Sequence, residues 1–364
     1  MKILHCIYDH VRNPWVAGGG AVRVHEIYRR LAVRHDITVV CGAYPGAENH
    51  DEDNVHYRFE GTKSSSYVLS TFYYAVRAAR YIKNYAAEYD IVVEDFASYN
   101  PVFSFIWNKN AVIQLHQREG LRHLKKYAVF GIPFFLIEKF YHLFFRNAVP
   151  ESEMGRDSYR LRGRIEVIPN GFDAKLLGLE PEEGDYALFL GRLHMNQKGL
   201  DTLHNAMPFL SCKLLIAGRG KDELSVKALF RNAVISGRAR FTGYVQGKDK
   251  EELFRKCLFV VIPSRYEGQP VTIVEAAACG KPVIVSDIPE LKYAVDAGFG
   301  LSYKAGNSKD LAEKINFLFR NVSRRREMGL RAREYSRQFT WDKIADEYEK
   351  FLIRVAEDAS GEKR

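Results

Sequence analysis

The sequence predicts an α/β fold in which two domains each contain a parallel β-sheet. Short apolar runs alternate with longer segments whose apolar side chains recur at helical spacing, a pattern typical of parallel sheets. The length of 364 residues corresponds to about two domains of ordinary size. A polar stretch, residues 151–164, ends the first half of the chain. We therefore predict domains at residues 1–165 and 166–340.

Composition narrows the classes of partner. The net charge is +9 and the isoelectric point is near 9.1, which favours a nucleic acid, an acidic membrane surface or a phosphorylated ligand. No basic stripe with regularly interleaved aromatic side chains supports nucleic-acid binding. Five cysteines without a CxxC pair indicate reduced thiols in a cytosolic protein. We find neither a signal peptide nor an apolar window of about 18 to 20 residues, so we expect a cytoplasmic location.

The first domain begins with a strand at 2–8, a loop containing Gly18, Gly19 and Gly20, and a helix that starts near Ala21. A glycine-rich turn into a helix places backbone N–H groups beside a phosphate, although a flexible turn would have the same composition. The turn is not a dinucleotide fingerprint, because Arg23 stands where that motif has its third glycine.

Polar side chains follow two further predicted strands of this domain. Glu94 and Asp95 follow a strand at 90–93, and His116 follows a strand at 111–115. The carboxyl ends of parallel strands form the ligand side of a sheet, so these three residues are candidates for it. The sequence Asp51-Glu52-Asp53 has the form D-x-D, but it lies in a predicted polar loop at 45–54. We interpret it as solvated surface and predict no metal site.

Residues 118–147 combine a basic cluster with many aromatic side chains. Arg118, Arg122, Lys125 and Lys126 precede an apolar run of ten residues that Pro133 interrupts. Basic residues beside aromatic ones are typical of segments that lie on an anionic bilayer. A core helix of the first domain remains an equal alternative.

The second domain is organised around residues 257–286. An apolar strand that ends at Pro263 is followed by a loop, a helix at 271–279, Gly280 as a helix stop, and another strand, which together form a βαβ unit. Glu267 lies in the loop and Glu275 eight positions later, roughly two helical turns on, so both face the same end of the sheet. Solvated acids are the plain alternative for this pair.

Three other features of the second domain accompany these carboxylates. The backbone N–H groups of Gly268, Gln269 and Val271 open toward a helix N-terminus, a place that suits a diphosphate. Earlier strands are followed by Gly191-Arg192 and Lys198-Gly199, by Gly218, and by Gly243-Tyr244. The string VIPNGFD, which contains Asn170, lies between the two domains.

These motifs resemble those of the GT-B type retaining glycosyltransferases of family 4. The segment EGQPVTIVEA resembles their E-G-aromatic-G-x-x-x-x-E-A signature, VIPNGFD resembles their interdomain motif, and GRLHMNQKG resembles their G-R…K-G loop. Gln269 replaces the aromatic residue and Pro270 the second glycine, so one backbone donor of the signature is missing. The resemblance is strong over the second domain and looser over the first.

The resemblance implies two Rossmann-like domains that face each other across a cleft, with the last helix, 341–357, crossing back onto the first. It implies transfer of a hexose from a nucleoside-diphosphate sugar with retention at the anomeric carbon, by front-face attack that the leaving phosphate assists. Arg192 and Lys198 would stabilise the departing diphosphate, Glu275 would hold the ribose, and Glu267 and His116 would position the donor sugar. Other implied donor contacts are Gly19, Gly20, Asn170, Gly218, Tyr244, Gly268, Gln269 and Val271.

No cofactor is implied, and the donor could be a UDP- or GDP-hexose, among others. We expect the acceptor to be a lipid-linked or cell-envelope glycan, with peripheral contact to an anionic membrane through residues 118–147. The alternatives are a nicotinamide-dependent oxidoreductase, which lacks its glycine fingerprint here, and a non-catalytic membrane-associated protein of the same fold, for which Arg192, Lys198, Glu267 and Glu275 need not be present.

Overall fold

The computed structural model describes residues 1–15, 18–116 and 118–361. The chain divides into two compact units. Unit 1 comprises Met1–Pro169 together with the segment that begins at Trp341, and unit 2 comprises Asn170–Thr340. The division follows Pro169, whereas the sequence-based boundary was placed at 165/166.

The strands alternate with the helices along most of the chain. The strands are β1 (Lys2–Ile7), β2 (Asp36–Gly42), β3 (His50–Glu52), β4 (Val55–Glu60), β5 (Ile91–Asp95), β6 (Ala111–Leu115), β7 (Asn147–Pro150), β8 (Arg164–Ile165), β9 (Tyr186–Leu190), β10 (Lys213–Ala217), β11 (Ala239–Gly243), β12 (Phe259–Ile262), β13 (Val283–Ser286) and β14 (Gly300–Tyr303).

The helices vary from one turn to about six turns in length. They are α1 (Gly19–Leu31), α2 (Tyr67–Tyr85), α3 (Ser104–Trp107), α4 (Arg122–Tyr127), α5 (Ile132–Phe140), α6 (Glu153–Ser158), α7 (Leu200–Ala206), α8 (Glu223–Leu229), α9 (Arg231–Ile235), α10 (Gly247–Lys256), α11 (Val271–Ala278), α12 (Lys292–Asp296), α13 (Ser308–Arg320), α14 (Val322–Ser336) and α15 (Trp341–Gly361).

Unit 1 contains an eight-stranded sheet in the order β3-β4-β2-β1-β5-β6-β7-β8. All neighbouring strands are parallel except β3 and β4. The chain proceeds outward from β1 through β2 to β4 and then returns to place β5 on the other side of β1. The carboxyl ends of β1 and β5 therefore form the switch point at which open α/β sheets bind ligands.

Unit 2 contains a six-stranded parallel sheet in the order β11-β10-β9-β12-β13-β14. Its central strands are runs of apolar residues, because helices cover both faces of the sheet. Its switch point lies between β9 and β12. The predicted α/β class with two parallel-sheet domains is confirmed.

Helix α15 belongs to unit 1 and packs against α1. Arg30 Nε lies 2.6 Å from Asp342 Oδ1, and the Arg34 guanidinium donates to Glu349. Deeper in the unit, the hydroxyl of Tyr348 donates to Gln114 Oε1 at 2.9 Å. The helix therefore contacts the sheet next to the end of β6.

One prediction for unit 1 was wrong in detail, and one strand was missed. The loop predicted at 45–54 contains β3, which forms a hairpin with β4 around Asp53 and Asn54, both with positive φ. Two consecutive left-handed residues make the tight turn whose twist matches a hairpin, and Asp and Asn tolerate that conformation. Strand β7 was also missed, since it is only four residues long.

Residues 118–144 do not form one buried helix. They fold as α4, a 3-10 turn at 128–131, α5 and a second 3-10 turn at 141–144. Glu138 anchors this segment, because its carboxylate accepts hydrogen bonds from the backbone N–H groups of Glu119 and Gly120. Many of the apolar side chains face outward, and Phe130 is 80% exposed. The core-helix alternative is therefore wrong for much of the segment.

Candidate functional site

The candidate site in unit 2 lies at the switch point between β9 and β12. Arg192 and Lys198 lie in the loop after β9, and Glu267 lies in the loop after β12. Gly199 shapes the first loop: its φ is +60°, and a Cβ there would lie 2.0 Å from the carbonyl oxygen of Pro263. A glycine at this position lets the loop touch the end of β12, and that contact places Lys198 beside Glu267.

Lys198 and Glu267 form a largely buried ion pair. Lys198 Nζ lies 2.5 Å from Glu267 Oε1, and their side chains are 14% and 7% exposed. The hydroxyl of Ser264 donates to the same carboxylate oxygen at 2.5 Å. Since an ammonium group has three N–H donors, Lys198 retains donors for a second acceptor while it holds Glu267.

Arg192 lies on the same rim and is exposed. A Cβ on the neighbouring Gly191 would lie 4.0 Å from Lys198 Cε, so the two cations border one strand end. No carboxylate of the described residues lies within ion-pairing distance of Arg192. Its guanidinium is thus available to an anionic ligand, with the forked geometry that matches phosphate oxygens.

Gly218 brings the ends of three strands together. A Cβ there would lie 1.9 Å from the carbonyl oxygen of Gly191, and the Gly218 N–H donates to the carbonyl of Gly243 at 2.7 Å. A side chain at position 218 would collide with the backbone of Gly191, which explains the glycine. Beyond it, the guanidinium of Arg219 lies 4.4 Å from the ring centroid of Tyr244, which is exposed. Tyr244 was predicted from the sequence as a ligand contact, whereas Arg219 was not.

Glu275 is buried in α11 and pairs with a lysine that the sequence analysis missed. Lys250 Nζ lies 2.6 Å from Glu275 Oε1. Burial lowers the pKa of Lys250, but the charge and hydrogen bond of Glu275 outweigh burial and raise the pKa above its usual value. The sequence shows only a lysine near the start of α10. No local pattern relates Lys250 to Glu275, so the pair could not be predicted.

Gln269 connects the loop after β12 to the start of unit 2. Its side-chain oxygen accepts a hydrogen bond from the backbone N–H of Asn170, and its carbonyl accepts one from Asn170 Nδ2 at 2.9 Å. Asn170 is buried. The amide that replaces the expected aromatic residue therefore ties Asn170 to the Glu267 loop.

The remaining unit 2 candidates lie at the start of α11. Gly268 precedes Gln269, Pro270 caps the helix, and Val271 is its first residue. The hydroxyl of Thr272 donates to the carbonyl of Leu190 at 3.3 Å, which joins the start of α11 to the end of β9. Backbone donors of α11 and the cations after β9 thus lie at adjacent strand ends.

The candidates of unit 1 meet near its own switch point. Gly19 is the exposed first residue of α1, and a Cβ on Gly20 would lie 3.4 Å from His116 Cε1. His116 Nδ1 lies 2.6 Å from Glu151 Oε1, and its Nε2 contacts Asp95 Oδ1. A half-buried imidazole therefore bridges two carboxylates beneath the start of α1.

The charges of this cluster determine its protonation. Burial lowers the pKa of His116, but the carboxylates of Asp95 and Glu151 outweigh it and raise the pKa well above its usual value. Burial raises the pKa of Asp95, but His116 and His5 outweigh it and lower that pKa. The direction of this pKa shift favours the protonated imidazole, and both ring nitrogens of His116 contact carboxylates, which does not suit a general base.

Glu94 has a structural role in unit 1. Its buried carboxylate accepts hydrogen bonds from the backbone N–H groups of Val102 and Ser104, from the Ser104 hydroxyl, and from the hydroxyl of Tyr141 at 2.7 Å. These bonds hold the loop after β5. Glu94 therefore does not face an acceptor, unlike the expectation from its place at a strand end.

The described residues contain neither a membrane-spanning helix nor a cluster of metal ligands. None of their helices combines the length and apolar character needed to cross a bilayer. No group of three or more His, Cys, Asp or Glu side chains among them is arranged to hold a metal ion. Asp51 instead pairs with His56 and Arg58.

Sequence profiles relate both halves of the chain to glycosyltransferases. The profile described as Glycosyltransferase Family 4 matches residues 17–176, and the profile described as Glycosyl transferases group 1 matches residues 178–335. Together they span nearly all of the two units.

Curated relatives agree with the profiles. A Methanocaldococcus jannaschii protein described as an uncharacterized glycosyltransferase is 35% identical, over 50% of this chain and 52% of that one. A Campylobacter jejuni N,N'-diacetylbacillosaminyl-diphospho-undecaprenol alpha-1,3-N-acetylgalactosaminyltransferase is 33% identical, over 43% and 42%. A Mycobacterium leprae phosphatidyl-myo-inositol mannosyltransferase is 30% identical, over 53% and 54%. The chain spans about half the length of these relatives.

Solved structures share the fold over nearly the whole chain. Sucrose-phosphate synthase from Thermosynechococcus elongatus has a TM-score of 0.83 at 19% identity, covering 97% of this chain and 98% of that one. Anabaena HepE, in complex with UDP and glucose, has a TM-score of 0.73 at 18% identity, covering 97% and 100%. The chain therefore has the GT-B fold and belongs to glycosyltransferase family 4.

Proposed function

We propose that this protein transfers a hexose from a nucleoside-diphosphate sugar to a hydroxyl acceptor, with retention at the anomeric carbon. The observation that carries the proposal is the Lys198–Glu267 pair beside Arg192 at the unit 2 switch point. Two cations there face the place where an open α/β sheet binds its ligand. Unit 2 would hold the donor and unit 1 the acceptor.

The chemistry requires stabilisation of the leaving group. When the bond between the anomeric carbon and the phosphate oxygen breaks, negative charge develops on the diphosphate. Arg192 would hold it with a bidentate fork, and Lys198 would add a point charge while Glu267 keeps it in place. Glu275 would accept hydrogen bonds from the ribose, with Lys250 keeping its carboxylate oriented. Since no side chain here stands out as a nucleophile, we favour front-face attack assisted by the leaving phosphate.

His116 would act indirectly in this scheme. Asp95 and Glu151 occupy its two ring nitrogens, so the side chain supports the Gly20 end of α1 and supplies positive charge near it. The backbone N–H groups at Gly19 and Gly20 would then be the phosphate-binding groups of unit 1. His116 is in this sense a positioning residue.

We propose a uridine donor and a lipid-linked acceptor. Support for uridine comes from HepE, which is in complex with UDP and glucose. The names of two relatives specify acceptors that carry a lipid, an undecaprenol diphosphate and a phosphatidyl-inositol. Exposed aromatic side chains in residues 121–144, beside the basic residues of that segment, would bring the protein to the cytoplasmic face of an anionic membrane.

The donor class is tested by melting-temperature shifts with UDP-, GDP- and ADP-hexoses, with NADH as the control for an oxidoreductase. We expect a shift with UDP-hexoses and none with NADH; a shift with NADH alone would overturn the proposal. Retention is tested by proton NMR of the product, whose first-formed anomer should match the donor. We also propose that no metal is needed, so EDTA should leave the turnover unchanged.

Neither alternative function gains support. The comparisons identify glycosyltransferases, and Gly218 serves close packing of strand ends instead of a nicotinamide fingerprint. A non-catalytic relative would have no need for Arg192, Lys198, Glu267 and Glu275, and this chain has all four. Transfer activity of the purified protein would exclude both alternatives directly.

A further inference from the structure

Helix α2 of unit 1 has an apolar face on each side. Its inner face packs on the sheet through Tyr74, Ala78 and Ile82, which are fully buried. Its outer face carries five large apolar side chains that are 47–73% exposed, at positions that recur with helical spacing: Val68, Leu69, Phe72, Tyr73 and Val76. A surface helix of a globular protein normally places polar residues on that side. Apolar patches of this kind mark interaction surfaces.

The charges of α2 indicate the kind of partner. The helix contains no Asp or Glu. Its exposed face continues after Val76 with Arg77, Arg80 and Lys83. An apolar stripe followed by cations, without an acid, complements an anionic lipid surface: the acyl region takes up the apolar side chains and the headgroups pair with the cations.

This surface is continuous with the aromatic segment at 121–144. Lys83 Nζ lies 5.4 Å from the ring centroid of Trp107 in α3, and Trp107 is itself exposed. In the same helix, Phe105 stacks on the exposed Phe144 with ring centroids 5.1 Å apart. Three segments of unit 1 therefore contribute neighbouring exposed aromatic or aliphatic side chains.

We propose that the outer face of α2 is an interfacial helix that lies in the surface of an anionic bilayer. The inference rests on the membrane contact in the proposed function and adds to it a second element, distant in sequence from 118–147. With α2 embedded, the segment 121–144 would contact the same leaflet. An acceptor anchored in that leaflet would then diffuse to the protein in two dimensions.

The test is flotation with vesicles of phosphatidylcholine containing phosphatidylglycerol, against vesicles of phosphatidylcholine alone. The variant combines Val68→Gln, Phe72→Gln and Val76→Gln, which remove the exposed apolar side chains while keeping good helix formers. We expect binding to fall by at least about tenfold. The matched control combines Leu224→Gln, Ile235→Gln and Leu330→Gln, three exposed apolar side chains of unit 2, and should float like the wild type.

A second variant tests the charges. Combining Arg77→Gln and Arg80→Gln should weaken binding to the anionic vesicles and reduce its dependence on salt. Trp107 offers a direct readout, because its fluorescence should shift to the blue on contact with vesicles, and Trp107→Phe should abolish that shift.

Three outcomes would overturn the inference. They are equal flotation of the wild type and the α2 triple variant, absence of flotation for both, and a wild-type dimer that the triple variant converts to a monomer. The last result would identify the face as an interface between copies of this chain. The UDP-induced melting shift, measured on the same samples, separates failure of this inference from failure of the proposed donor chemistry.

Discussion

Lys198 Nζ lies 2.5 Å from Glu267 Oε1, and this contact joins two loops at the switch point of the unit 2 sheet. The two residues come from loops after adjacent strands, β9 and β12, and Gly199 allows the loops to touch. Each partner holds the side chain of the other in a fixed orientation in a largely buried place. The pair therefore presents a fixed ammonium group to a ligand at the strand ends, with Arg192 on the exposed side.

Glu267 should be needed for transfer more than for nucleotide binding. Replacement by Glu267→Gln keeps the shape of the side chain but removes the charge that holds Lys198. We expect turnover to fall by about 100-fold, while the dissociation constant of UDP changes by less than about threefold. Calorimetry with UDP and a transfer assay measure the two quantities. Equal losses in both would show that Glu267 acts in ground-state nucleotide binding.

Lys250, in contrast to Glu267, should be needed for nucleotide binding. Without the ammonium group of Lys250, the buried carboxylate of Glu275 loses this ion-pair partner. The orientation of Glu275 toward a ribose is then lost. We expect Lys250→Gln to weaken UDP binding by about tenfold. Lys248→Gln changes an exposed lysine of the same helix and should have no effect. Equal UDP affinity in both variants would remove Lys250 from the site.

Gly199 should tolerate no side chain. Gly199→Ala would add the strain of a positive φ, about 1–2 kcal/mol, and a Cβ 2.0 Å from the carbonyl oxygen of Pro263. Gly237 has a φ of +70° with open space around it, so Gly237→Ala measures the strain alone. We expect Gly199→Ala to cost more than about 3 kcal/mol of unfolding free energy. Similar denaturant midpoints for the two variants would contradict the close contact.

The His116 cluster should make stability fall as the pH rises above about 6.5. Because the folded-state pKa of His116 lies above its unfolded value of about 6.5, its contribution is complete below that pH and is lost as the pH rises through the folded-state pKa. Burial lowers the pKa of His5, so His5 reduces stability as the pH falls below about 6.5. The difference in unfolding midpoint between wild type and His116→Gln should therefore shrink as the pH rises above about 6.5. A constant difference would contradict a protonated His116.

The sequence predicted the fold class and most strand positions of unit 2, because buried parallel strands are continuous apolar runs between clear helix signals. Strands β9 and β10 end directly before Gly191 and Gly218, the glycines that were predicted to follow strands. Strand β3 was missed because a polar edge strand has no such apolar run, and β7 was missed because it is only four residues long. For the hairpin of β3 and β4, the available sequence signal was the pair Asp53-Asn54, because both residue types tolerate the positive φ of its turn.

Contacts between distant residues were beyond the sequence. Lys250 with Glu275, Gln269 with Asn170, and Arg219 with Tyr244 each join residues that no local pattern relates. The outward apolar face of α2 was also missed, because periodicity shows that a helix has apolar positions but does not show which of two apolar faces packs on the sheet. Strand-end position alone also misjudged Glu94, whose carboxylate holds a loop.

Turnover of Lys198→Ala, measured on purified protein with a UDP-hexose and an acceptor or with water as the acceptor, tests the central claim most directly. Lys213→Ala is the control, since it removes an exposed lysine of unit 2 that pairs with Asp185 at the surface. We expect the Lys198 variant to lose more than about 100-fold in turnover while its circular dichroism stays that of a folded protein, and the control to keep full activity. Near-wild-type turnover of a folded Lys198→Ala protein would contradict the role of Lys198 in steadying the departing diphosphate.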